Sequence, residues 1–440
     1  MSALVPLRTL SRQSLFGAGD VFVLFGELFG RGYANGLVAQ ARAAGMTVIG
    51  TTVGRRAPDG SLRPLDDEEL AAAEANLGGR IVNIPLMAGF DLDTPADGGP
   101  TVTELAGALT LKTWQEDKLD WDRIAACRAA GVARFNASAA EAVRRIEALI
   151  PPGANVFFAH TMAGGLIKAK VFLAIANRIY KGRGERFMSS RALLDSDLGK
   201  LNLMNFEEVT GNTFAALIAA SAALRERIER EGGQVRYTAY GYHGTEILID
   251  GQYQWQTYTN YTQGYAKKRL EDIARAAWDK GVKAVVFNCP EIRTNSSDIF
   301  VGIELSLIPL LNAYRREGCA AWGEAQWAAS RALLTDPAAL DGILARLDTY
   351  NTSETMRRFR DFDAWPMDNT PALAQMMIST AEEITAQHKS RHELITERLS
   401  THVLEATGPL IFNEAAEPAA PVLWLGHDAV ARKMAALHAG

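Results

Sequence analysis

Short, nearly unbroken apolar runs recur along the first two thirds of the chain, each closed by glycine or a polar turn. They are Val21 to Phe25, Met46 to Thr52, Arg80 to Leu86, Asn155 to Ala159, Val235 to Tyr240 and the VKAVVFN run that starts at Val282. Runs of this length with no polar alternation are the mark of strands buried on both faces. Between them the apolar spacing turns helical: Ala34 to Ala44, part of 57–79, two patterns over 104–130 and 138–150, a long one over 206–231, and Tyr258 to Ala277. Six strands alternating with helices predict an α/β fold with a parallel, doubly wound sheet and right-handed crossovers. Residues 246–256 (EILIDGQYQWQ) break the rhythm, because they alternate and carry an Asp-Gly turn, which predicts a hairpin. Long insertions accompany the sheet over 94–153 and 166–200. Past residue 330 the pattern is mostly helical, with no strand signal until Pro421 to Leu425. The expected division is a catalytic domain over 1–330 and a mostly helical C-terminal extension over 331–440 packed on it.

The first strand leads into Gly26, Gly30 and Gly32, spaced G-x3-G-x-G, and then into the Ala34–Ala44 helix. A glycine turn between a strand and a helix makes a tight bend, lets a pyrophosphate approach the backbone, and offers it a free helix N-terminus. In that context the sheet is of the Rossmann type and the turn is a dinucleotide site; a parallel-sheet turn that holds no phosphate is the plainer alternative. The second strand is followed by Arg55 and Arg56 with no carboxylate. Two cations at that point suit a 2′-phosphate and favour NADPH over NADH, NADH staying open. Asp91, just past the third strand, is a candidate for the adenine amino group, or merely a turn former. Ala159 and the His160–Gly165 loop end the fourth strand, where small residues let a ribose lie against the backbone.

Composition narrows the class. The net charge is −5 with both signs mixed, and no basic stripe argues for nucleic acid. Three scattered cysteines and no CxxC pair argue against a disulfide framework or a metal site. The N-terminus lacks a signal-peptide core, and no run is long enough to span a membrane. A cytoplasmic protein is expected.

The chemistry is expected above the carboxyl ends of the strands, from tyrosine and lysine. A tyrosine hydroxyl near a lysine ammonium and a nicotinamide can donate a proton or stabilise an oxyanion. The Tyr-x3-Lys spacing is absent here. Tyr258 to Lys267 gives Tyr-x8-Lys, and Tyr261 to Lys268 gives Tyr-x6-Lys. Helix geometry favours the second pair unless Tyr258 precedes the helix.

The glycine turn, the strand succession and Ile292-Arg293-Thr294 resemble the short-chain dehydrogenase/reductases. Within them, Tyr258-x8-Lys267-Lys268 resembles the large enoyl-acyl-carrier-protein reductases and trans-2-enoyl-CoA reductases. The likeness covers about residues 20–325. It implies hydride transfer from NAD(P)H to the β-carbon of a 2-enoyl thioester on acyl carrier protein or coenzyme A. Tyr258, with an upstream tyrosine matching Tyr240, would bond the enolate oxygen; Tyr242 competes for the second place, because the hairpin lengthens the interval. Lys267 would orient the ribose, and Ile292 and Thr294 would be further cofactor-binding residues. A reductase of another carbonyl or imine, and a non-catalytic NADP(H)-sensing scaffold, are the alternatives. The oligomeric state stays open.

Overall fold

A computed structural model describes the chain except residues 1–2, 11–13, 168, 258–261, 295–296, 298–300, 319 and 439–440. Seven parallel strands form the central sheet: β1 (Val21–Phe25), β2 (Thr47–Thr52), β3 (Arg80–Pro85), β4 (Val156–His160), β5 (Val235–Gly241), β6 (Ala284–Asn288) and β7 (Val422–Trp424). Their order is 7-6-5-4-1-2-3. This is the doubly wound arrangement, with the order reversing between β1 and β4. The strands carry no polar face because both faces are covered. Phe22, Leu24, Phe157, Ala159, Val285 and Phe287 pack to one side, and Val21, Val23, Phe25, Val156, Phe158 and Val286 to the other.

The C-terminal segment belongs to the first of those sides. It supplies β7, which pairs with β6 at Val286↔Val422. The chain's start runs along the same edge, where Leu7 donates to the Trp424 carbonyl at 2.8 Å. Two helices meet on that side: α1 (Tyr33–Ala43) and α2 (Ile395–Glu414). Gly36 and Gly408 face each other where they cross. A Cβ on Gly36 would lie 2.9 Å from the Leu404 carbonyl oxygen, and one on Gly408 2.6 Å from the Gly36 carbonyl carbon. Only glycine permits so close a crossing.

Two expectations about elements are corrected. The patterns over 104–130 and 138–150 resolve into a short helix Val102–Gly107 and one long helix Trp121–Glu147. Gly131 is a packing point within the long helix, where a Cβ would stand 2.8 Å from the Gly89 carbonyl oxygen. The run over 206–231 is interrupted by a π-helical turn at Glu207–Asn212 and a break at Ser221. The hairpin is present as Thr245–Ile249 and Gln252–Gln256, with Asp250 (φ 48°) and Gly251 (φ 69°) both left-handed in the turn. The insertions build a third core around Phe90, Ile124, Phe172 and Leu198. Among the described residues no helix is long and apolar enough to cross a membrane.

Candidate active site

At the end of β1 the chain turns at Gly26 with φ +130°, a backbone closed to side chains. Its N–H donates to Thr51 Oγ1 at 2.8 Å, and a Cβ there would lie 2.3 Å from Thr161 Oγ1. Gly30 and Gly32 answer a different need. A Cβ on either would meet nothing within 4 Å, so they border open room before α1. That helix has no side-chain cap and no acid in its first turn, so its positive dipole end favours an anion there.

The room is a cleft of about 220 Å³ over the switch point, between the glycine turn and the end of β4. Glu27, Arg31, Gly32, Tyr33, His160, Thr161, Met162, Tyr240 and Lys267 are among its lining residues. Three of the expected site residues, Gly32, Tyr240 and Lys267, therefore meet here. Lys267, on helix α3 (Thr262–Trp278), donates Nζ–H to the Tyr240 carbonyl at the end of β5 at 2.7 Å. Burial pulls its pKa down to about 8. Tyr240 itself is 8% exposed, and among the described residues its hydroxyl has no hydrogen-bond partner. Burial, followed by the Cys289 thiol nearby, pushes that phenol's pKa up, so it stays a neutral donor. A buried donor without a partner invites an acceptor from a ligand.

His160 is a neutral wall rather than a base. Burial, and then the Lys267 charge, lower its pKa to about 3. Its Nε2 lies 2.8 Å from Thr213 Oγ1, whose own proton goes to the Val209 carbonyl at 2.7 Å, so Nε2 carries the hydrogen. Thr213 opens the helix that follows the π-helical turn, and Thr210 within that turn bonds the backbone of Gly164. Tyr33, which the sequence reading passed over, stacks on Tyr240 with ring centroids 5.8 Å apart and donates its hydroxyl to the Pro290 carbonyl.

The adenosine end holds a surprise for the sequence reading. No carboxylate follows β2, yet one stands at its end: Glu27, from the glycine turn. It accepts from Thr52 Oγ1 at 2.9 Å and from the Val53 N–H at 3.2 Å, and pairs with Arg55 Nη2 at 2.9 Å. Burial works to raise the Glu27 pKa, but Arg55 and these hydrogen bonds outweigh it, so the carboxylate stays ionised. Arg56 donates to the Gly60 carbonyl at 2.8 Å. Asp91 is bound into its own turn by Thr103, whose hydroxyl donates to Oδ2 at 3.3 Å and whose N–H donates to the carbonyl at 2.9 Å. Ala159 packs in the sheet core and Ile292 beneath the following loop, while the Thr294 N–H donates to Ser297. Tyr258 and Tyr261 lie outside the described residues.

A parallel sheet that reverses at a glycine-turn cleft, with a lysine and a tyrosine converging on it, defines a dinucleotide-dependent oxidoreductase site. The sequence matches the model of the family described as enoyl-acyl carrier protein reductase FabMG over residues 3–434, and the chain belongs to that family. Two solved structures agree. An apo FabMG, described as a novel type of enoyl-acyl carrier protein reductase, is 63% identical, aligns with all of this chain and 98% of its own, and superposes with a TM-score of 0.97. An NADH-bound FabMG is 55% identical over 100% of both chains, with a TM-score of 0.80. A comparison with curated proteins gives no match. The chain is an enzyme that reduces an enoyl thioester with a nicotinamide cofactor; the carbonyl or imine reductase and the sensing scaffold are not supported.

Proposed function

We propose that the chain reduces the C2=C3 bond of a 2-enoyl group carried on acyl carrier protein, with NADH as reductant. The observation that carries this reading is the convergence of Lys267, Tyr240 and the glycine turn on one cleft. The residues present fit a dinucleotide: the positive dipole end of α1 for the pyrophosphate, Glu27 for ribose hydroxyls, Lys267 for the second ribose, and an unpartnered Tyr240 hydroxyl. The nicotinamide, when bound, supplies the hydride, which goes to C3 of the enoyl group. The negative charge then gathers on the thioester oxygen as an enolate, and C2 takes a proton. Tyr258 donates a hydrogen bond to that oxygen, with Tyr240 beside it, where the charge develops. Lys267 orients the ribose, and its charge favours the anionic oxygen. Neutral His160 adds no competing base.

The choice of NADH departs from the expectation of NADPH. Arg55 is engaged by Glu27, and that carboxylate would face a 2′-phosphate with like charge, whereas it would accept a hydrogen bond from a free 2′-hydroxyl. The NADH-bound relative supports the same choice. A carrier protein, rather than coenzyme A, is the substrate form that the family's description names.

The assignment of the donor is tested by kinetics on enoyl-carrier protein with saturating NADH. Tyr258→Phe is expected to lose ~10²–10³ in kcat with NADH binding intact, the usual cost of one oxyanion donor. If Tyr261→Phe is the inactive variant and Tyr258→Phe turns over normally, Tyr261 takes the role.

A further inference from the structure

A contributor to the cleft comes from the far end of the chain. Glu397 lies in the first turn of α2, 366 residues from Arg31. Its carboxylate is divided between two arginines. Arg31, in the glycine turn, donates Nη1–H to Oε2 and Nη2–H to the Glu397 carbonyl at 3.1 Å. Arg293, in the loop after β6, places Nε 2.8 Å from Oε1. The Arg293 backbone N–H donates to Ser400 Oγ, a turn further along α2, at 2.8 Å.

Arg31 lines the cleft next to Gly32, where a pyrophosphate would meet the start of α1. Arg293 stands in the loop that leaves the carboxyl end of β6. One carboxylate thus joins the glycine turn to the loop after β6. The Arg31, Arg293 and Glu397 side chains are 36%, 26% and 33% exposed, so neither pair adds much to global stability. Their effect is on placement. Without the negative charge, two guanidinium groups would share one spot and repel each other, leaving the backbone contacts to Glu397 and Ser400 to hold the two loops to α2. Glu397 is in turn fixed relative to α1, because α2 and α1 are locked at the Gly36–Gly408 crossing.

We propose that Glu397 is a positioning residue for the dinucleotide. It draws Arg31 and Arg293 to one point and so holds the glycine turn and the post-β6 loop at the separation that the cofactor requires. The proposal rests on the reading that NADH binds in this cleft, and the test separates the two.

The experiment is NADH titration, steady-state kinetics and thermal melting on the full chain. It compares the parent with Glu397→Gln, Arg31→Met, the double variant, and Lys267→Met as a probe of the cleft itself. Glu397→Gln is expected to raise the Kd and KM for NADH about tenfold, with kcat within about twofold and the melting temperature unchanged. The double variant is expected to bind no more weakly than the weaker single variant, because both remove one linkage. If Glu397→Gln binds NADH like the parent while Lys267→Met binds weakly, the cleft stands and the role of Glu397 falls. If neither change affects NADH binding, the cleft reading falls and takes the proposal with it. A parallel loss of kcat and melting temperature in Glu397→Gln would also overturn it, since a merely structural contact behaves that way.

Discussion

Lys267 shows stability and function pulling in opposite directions at one atom. Its folded pKa of about 8 lies below the usual range of a lysine amine. Between that value and ~10.4, the unfolded chain holds more protons than the folded one, so stability rises with pH across this window. Below it, the folded protein bears a charge that burial disfavours. Lys267→Met is therefore expected to raise the melting temperature at pH 7 and to flatten its climb above pH 8, while weakening NADH; a lower melting temperature would contradict this. In the parent, NADH affinity is expected to fall above pH about 8 as the ammonium loses its proton. Glu27 makes the second prediction at this scale. Glu27→Gln removes the carboxylate facing the 2′ position and releases Arg55, so the ratio of kcat/KM for NADPH to that for NADH should rise about tenfold, roughly the value of one charged contact. An unchanged ratio would mean that the ribose binds elsewhere. The sequence offered Lys267, Tyr240 and the three glycines because each sits in a local pattern of strand, turn and helix. It could not offer Glu27 as a ribose ligand, because the expected position follows β2 and the carboxylate arrives from β1 across the sheet.

The crossing of α1 and α2 decides where the start of α1 lies, and with it the cofactor's anchoring point. Replacing Gly408 by alanine sets two effects against each other. Helix propensity favours alanine by up to ~1 kcal/mol. The new Cβ, however, would stand 2.6 Å from Gly36 backbone, not from a side chain that can rotate away. Overpacking of that kind costs ~1–3 kcal/mol, so the net effect should be destabilising. Gly408→Ala is expected to lower the melting temperature and to weaken NADH through the displaced α1, as measured by thermal melting and NADH titration. A more stable variant with normal affinity would show that the helices do not cross so closely. Strands and the hairpin were legible because buried runs and an Asp-Gly turn are local signals. The long helix Trp121–Glu147 was not legible as one element; Gly131 within it serves close packing against Phe90 rather than a turn. The π-helical turn has no periodic signature of its own. It exists because Thr210 and Thr213 must reach Gly164 and His160.

For the molecule as a whole, the sheet is closed by its two ends. Residues 5–7 run beside β7, and the C-terminal helices complete one face of the core. A chain ending at residue 330 would leave Phe22, Phe157 and Phe287 without their cover, and it is expected to be insoluble or to lack a cooperative melting transition. A soluble, cooperatively melting truncation would show that 1–330 folds alone. The strand at Pro421 to Leu425 was legible, but its place beside β6 was not, because pairing between distant segments has no local signature, and Glu397 reaches Arg31 only through the fold. Whether NADH reduces an enoyl thioester in the cleft of Lys267 and Tyr240 is read most directly from the rate of NADH consumption with 2-enoyl-acyl carrier protein, for the parent chain and for Lys267→Met. Steady turnover by the parent, yielding the saturated acyl product, is expected, with a loss of about 10²-fold or more in kcat/KM for the variant with its fold intact. Equal turnover by the two proteins would contradict this reading.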